Sequence, residues 1–132
     1  MSCLFNSVYT LLQENFSDKN IDIREVVCNY IKNNPKEEIA GETIENWLTI
    51  IGLDEFNQNS YSYEDYAELM ESRSQWGGGP EMSIISKIFN VKIKIKHNNN
   101  IIATFDCSND PVFILVLDWT GDHYEPVTKI VL

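Results

Sequence analysis

Residues 112–119, VFILVLDW, followed by TGDHYEPVTKIVL over 120–132, carry the reading that decides the fold. A near-continuous apolar run of this length is expected of a central strand covered on both faces. Pro111 stands just before it, where a missing N–H costs little. Thr120-Gly121-Asp122 reads as a turn, and HYEPVTKIVL supplies the last one or two strands.

Upstream, NVKIKIK (90–96) has period two: Val91, Ile93 and Ile95 alternate with Lys92, Lys94 and Lys96. That is a strand with one wet face. Asn98 to Asn100 form a turn, and IIATF (101–105) returns. Ahead of these strands the period is helical. Leu4, Val8, Leu11 and Leu12 place a helix directly after Cys3. Asp22 can cap a second helix with an apolar stripe of Ile23, Val26, Val27, Tyr30 and Ile31, stopped at Asn34-Pro35. Ile44, Trp47, Leu48 and Ile51 predict a third, ended by Gly52; Tyr63, Tyr66, Leu69 and Met70 predict a fourth. Gly77 to Gly79 lead to Pro80, placed for the first turn of a fifth helix with Met82, Ile85 and Phe89. Helices first and strands after predict an α+β domain spanning residues 1–132, its central, mainly antiparallel sheet flanked by helices.

The chain has 132 residues, 43% of them hydrophobic, enough to bury one core. No apolar run approaches the roughly 20 residues that span a bilayer, so no membrane partner is expected. Ten Lys+Arg against 20 Asp+Glu give a net charge of −10, which argues against nucleic acid. Cys3, Cys28 and Cys107 are odd in number and lack metal or redox spacing, predicting reduced thiols, a cytoplasmic setting and neither metal nor cofactor.

Thiol chemistry needs a thiolate, a base and a group that orients the base. Cys3 precedes a helix, whose unpaired N–H groups favour the anion. Cys28 lies within a helix, and Cys107 reads as a turn or strand-end residue. His97 falls in the polar KHNNN stretch and reads as a surface residue. His123 follows a rigid strand on a loop, a common setting for catalytic groups. Glu125, two residues on, shares its face if the segment is extended and could fix its tautomer.

Four blocks in order resemble the ovarian-tumour (OTU) family of cysteine proteases: CLFNSVY (3–9), IREVVCNYIKNN (23–34), YEDYAELMESRSQWGGGPEMSIISKIFNVKIKI (63–95) and FILVLDWTGDHYEPV (113–127). The resemblance implies a papain-type fold, Cys3 as nucleophile, His123 as general base and Glu125 in place of the family's Asp or Asn. It also implies that Tyr124, Trp76, Gly77 and Gly78 support the site. One position departs. The family's Asp-Gly-x before the cysteine, which helps build the oxyanion hole, has no counterpart in Met1-Ser2. Either the chain is trimmed, or its segments are ordered unusually, or the oxyanion site is built differently. The implied activity is hydrolysis of the isopeptide bond after the C-terminal glycine of ubiquitin, or of a ubiquitin-like modifier, by a monomer. The alternatives are a non-catalytic module that binds ubiquitin or another protein, and a protease that matures a viral polyprotein.

Overall fold

A computed structural model of the chain describes residues 3–18, 20–39, 41–48 and 79–132. The described elements are helix α1 (Cys3–Leu12) with a 3-10 turn (Gln13–Asn15), helix α2 (Ile23–Asn33), a two-strand ribbon of β1 (Glu38–Ile39) and β2 (Glu42–Thr43), helix α3 (Gly79–Phe89), and strands β3 (Val91–His97), β4 (Asn100–Phe105), β5 (Phe113–Trp119) and β6 (Tyr124–Val131). Residues 44–48 are helical as expected. Ile51, Gly52 and the helix expected around Tyr63–Met70 lie outside the described residues.

The large sheet has the order β4-β3-β5-β6. β3·β4 and β5·β6 are antiparallel, while β3·β5 is parallel with Val91 opposite Phe113 and Ile95 opposite Leu117. The sheet is therefore mainly antiparallel around one parallel pair. The parallel pair arises because β4 and the 106–112 segment bring the chain back to the start of β3, where Val112 N donates to Asn90 O at 2.8 Å. Within HYEPVTKIVL, Tyr124–Val131 form a single strand, β6. A register shift at Val116/Leu117 places Thr128 opposite Val116 and Pro126 opposite Leu117. β6 is an edge strand, where proline is tolerated.

Period two in β3 does what it predicts. Val91, Ile93 and Ile95 are buried against the helices, and the lysines between them are half-buried on the other face. β5 lies inside the sheet, with Leu115 and Leu117 fully buried on the helix side. On the opposite side only Val116 is buried and Ile114 is half-exposed, so double cover reaches only the middle of the strand. The β3–β4 turn uses Asn98 and Asn99 at positive φ (52° and 66°), a conformation asparagine adopts more readily than most residues.

Helix α2 starts where Asp22 accepts a hydrogen bond from Glu25 N at 3.2 Å, the expected cap. Its buried face is turned slightly from the expected stripe. Ile23, Arg24, Val27, Cys28 and Ile31 are buried, whereas Val26 and Tyr30 are only partly so. The guanidinium of the buried Arg24 lies over the ring of Phe5 on α1, 4.5 Å from its centre. The phenol of Tyr30 donates to Glu37, which also pairs with Lys87 of α3, and this joins α2 to α3 at their rim. Burial, then the Glu37 contact, pushes the Tyr30 phenol well above its usual range. Helix α3 carries Pro80 in its first turn and buries Met82, Ile84 and Ile85. Asn90, at φ 55°, ends it in the left-handed conformation typical of a helix stop.

Candidate active site

Cys3 is the first residue of α1, and the first turn of that helix carries no acidic side chain. The unpaired amide N–H groups and the helix dipole therefore act on the N-terminus without an opposing carboxylate nearby in sequence, the condition that lowers a thiol pKa. The other two cysteines are free thiols elsewhere. Cys28 is fully buried in α2, and Cys107 is half-buried beyond the end of β4, its N–H donating to Ser86 Oγ at 2.8 Å.

The histidine half of the site grows out of the end of the sheet. Trp119 of β5 and Tyr124 of β6 form the last pair of the ladder, their rings 4.7 Å apart between centres. Between them the chain turns through Thr120-Gly121-Asp122-His123, closed by Thr120 N donating to His123 O at 3.0 Å. Gly121 sits at φ 109°, which a residue with a side chain rarely adopts, so the turn needs glycine there. The turn projects the imidazole of His123 from the end of a strand pair anchored by the buried residues Leu115, Val116 and Leu117 of β5.

Both ring nitrogens of His123 meet a carboxylate. Nε2 lies 2.9 Å from Glu125 Oε1, and Nδ1 lies 2.9 Å from Asp122 Oδ1. The Glu125 contact follows from i, i+2 spacing on extended backbone. Asp122 is held in turn by the Thr120 hydroxyl, which donates to its Oδ1 at 2.8 Å and stands 3.1 Å from His123 Nδ1. The Glu125 and Asp122 contacts, in that order, hold the imidazolium above its ordinary pKa. The Thr120 hydroxyl, then His123, hold Asp122 below its ordinary value. These side chains are open to solvent, with His123 at 42%, Glu125 at 55% and Asp122 at 83% exposure. The pairs are accordingly screened, and they orient the ring more than they stabilise the fold.

Helix α1 packs against β6. Ser7, one helical turn after Cys3 and only 3% exposed, donates its hydroxyl to Tyr124 O at 3.2 Å. Farther along, Lys129 Nζ donates to Asn15 Oδ1 at 2.8 Å. The helix that begins at Cys3 and the strand that follows His123 are thus tied together across 117 residues of sequence. Of the residues named from sequence, Cys3 opens that helix, His123 and Glu125 touch, and Tyr124 packs its ring at a tilt of 45° against Trp119 while its carbonyl receives the Ser7 bond. Trp76, Gly77 and Gly78 lie outside the described residues.

Sequence reasoning gave no role to Thr120, Asp122 or Ser7, and read His97 as a surface residue. The acid immediately before His123 was the available signal for Asp122. Ser7 stands three residues after Leu4 on the apolar side of α1, where a polar residue needs a partner. His97 is the last residue of β3 and not part of a surface turn. Its Nδ1 lies 2.7 Å from Trp119 O and donates to it. Among the described residues no cluster of His, Cys, Asp and Glu has the makings of a metal site.

The family model described as OTU-like cysteine protease matches residues 2–117. The chain belongs to the OTU-like cysteine protease family. The matched region includes Cys3 and stops before His123, so the reading of the base rests on the local geometry. Three solved OTU domains share the fold. An OTU domain in complex with ubiquitin superposes with a TM-score of 0.62 at 22% identity, covering 96% of this chain and 63% of that one. The OTU domain protease of Dera Ghazi Khan virus gives 0.59 at 19% identity, covering 97% and 74% of the two chains, and that of Qalyub virus gives 0.54 at 18%, covering 97% and 78%. The chain thus spans less than two thirds of the ubiquitin-bound OTU domain's length. No curated protein matches the chain.

Proposed function

We propose that this OTU domain is a deubiquitinating cysteine protease that uses Cys3 as nucleophile, His123 as proton carrier and Glu125 as orienting acid. Membership of a cysteine protease family carries the reading, with the nucleophile candidate at a helix start and the base candidate on the turn that leads into the strand tied to that helix. The ubiquitin seen on a structural neighbour supplies the substrate class.

The chemistry starts from a thiolate–imidazolium pair, which the helix N-terminus favours on one side and the carboxylates beside His123 favour on the other. The Cys3 thiolate attacks the carbonyl carbon of the modifier's terminal glycine, forming a C–S bond and an oxyanion. As the C–N bond breaks, His123 gives its proton to the departing lysine amine. The neutral imidazole then takes a proton from water, which attacks the thioester; the C–S bond breaks, the carboxylic acid leaves and the thiolate–imidazolium pair is restored. A base works through a nitrogen that can face the thiol. With both nitrogens on carboxylates in the resting arrangement, one contact opens during the cycle. Asp122 is the more exposed partner and is the one that yields while Glu125 is charged, leaving Glu125 to fix the ring; with Glu125 neutralised the roles exchange, Nε2 facing the thiol while Asp122 holds Nδ1.

Incubation with ubiquitin dimers of each linkage, alongside Cys3→Ala and His123→Ala, tests the reading. Cleavage by the parent and by neither variant is expected. Ubiquitin binding without cleavage by any of the three would replace this reading with a non-catalytic binding module. Cleavage of a parent polyprotein but of no ubiquitin dimer would point to a maturation protease.

A further inference from the structure

The turn that carries His123 is gripped at both stems by side chains from other parts of the fold. At the β6 stem, Ser7 Oγ of α1 donates to Tyr124 O at 3.2 Å. At the β5 stem, His97 Nδ1 of β3 donates to Trp119 O at 2.7 Å. These two carbonyls belong to the last pair of the β5·β6 ladder, immediately outside the four-residue turn. Both bonds are made by side chains and lie outside the backbone ladder. Ser7 is almost wholly buried on an apolar helix face, where its hydroxyl needs a partner, and Tyr124 O supplies it.

We propose that Ser7 and His97 are positioning residues that clamp the stems of the 120–123 turn and thereby set the orientation of the His123 ring relative to the start of α1. The inference rests on the reading of His123 as the base. The Ser7 bond fixes the strand after His123 to the helix that begins at Cys3, at the end of the α1–β6 packing nearest the turn. The His97 bond stops the turn from swinging about its other stem. Ring placement matters because a displacement of about 1 Å costs on the order of 100-fold in rate where groups must meet in line. Thr120 and Asp122 travel with the turn, but Glu125 lies past the stem on β6, so loosening a stem lets the ring part from Glu125.

Two pairs of variants separate clamping from general packing. Ser7→Ala removes the donor and Ser7→Thr keeps the hydroxyl. His97→Ala removes the second donor, and His97→Asn keeps an N–H near the place of Nδ1. The chain has two histidines, so long-range ¹H–¹⁵N spectra resolve His123 directly, and in His97 variants it is the sole ring observed. In the parent, His123 titrates above its ordinary value. In Ser7→Ala and His97→Ala its titration moves back toward that value while the thermal midpoint shows a folded protein; Ser7→Thr and His97→Asn restore the parent behaviour. With a fluorogenic ubiquitin substrate, the two alanine variants lose about tenfold in kcat with KM little changed. The ring titration needs no turnover, so it decides the clamp by itself. Unchanged titration in both alanine variants overturns the clamp, even if the parent cleaves ubiquitin. A shifted titration in a parent that cleaves nothing supports the clamp and removes the proposed function. If one serine variant fails to fold, the His97 pair decides the question at the other stem.

Discussion

Replacing Glu125 by Gln tests how the imidazole is oriented. Gln keeps the length of the side chain and can still offer an oxygen to Nε2, but it brings no charge. In a buried triad the loss of the orienting carboxylate costs about four orders of magnitude in kcat. The structure predicts far less here, for two reasons. The His123–Glu125 pair is open to water, with side chains 42% and 55% exposed, so its electrostatic share is screened. A second carboxylate, Asp122, contacts the other ring nitrogen at the same 2.9 Å and can hold the ring when Glu125 is neutralised. The expected loss in kcat/KM is therefore about tenfold for Glu125→Gln and no more than about threefold for Asp122→Asn. Because each acid covers for the other, the double variant should lose more than the product of the single losses, on the order of 100-fold or beyond. The assay is hydrolysis of a fluorogenic ubiquitin substrate by the four proteins at matched concentration. Full activity in Glu125→Gln, a larger loss in Asp122→Asn than in Glu125→Gln, or a double variant equal to the product of the singles would refute this picture of the ring.

Further expectations concern stability. The contacts that raise the His123 pKa stabilise the folded state when the ring is protonated, so their contribution is full below the ordinary His value and fades as pH rises through the raised one. His123→Gln should therefore lower the thermal midpoint at about pH 5.5 and leave it unchanged at about pH 9; an equal effect at both would contradict the assignment. Leu117 is fully buried in β5, and Leu117→Ala should cost about 3 kcal/mol, seen as a lowered midpoint in urea with an unchanged slope. Asp22→Ala removes the cap of α2 and should cost about 1 kcal/mol in the same experiment, with Asp22→Ser recovering most of it.

Much of this architecture was legible because its periodicities are strong. Val91, Ile93 and Ile95 could face only one way on a strand, and the stop at Asn34-Pro35 and the start at Pro80 follow from backbone sterics. The exact face of α2 was less legible, since the buried Arg24 lies over a ring on another helix that no local pattern reveals. The two-residue ribbon of β1 and β2 is too short to show a period. The parallel pairing of β3 with β5 is a matter of topology, decided by where the 106–112 segment brings the chain back. In the site, the contact between His123 and Glu125 could be read from their spacing. The roles of Ser7 and His97 could not, because each acts on a main-chain carbonyl more than 20 residues away, and carbonyls leave no mark in a sequence.

The central claim is that Cys3 is the nucleophile and His123 its proton carrier. The most direct test is to react the domain with ubiquitin bearing a C-terminal electrophile and map the adduct by peptide mass spectrometry. One covalent adduct is expected, located on Cys3, absent from Cys3→Ala and much slowed in His123→Ala. An adduct on Cys28 or Cys107, or equal labelling of Cys3→Ala, would contradict the claim.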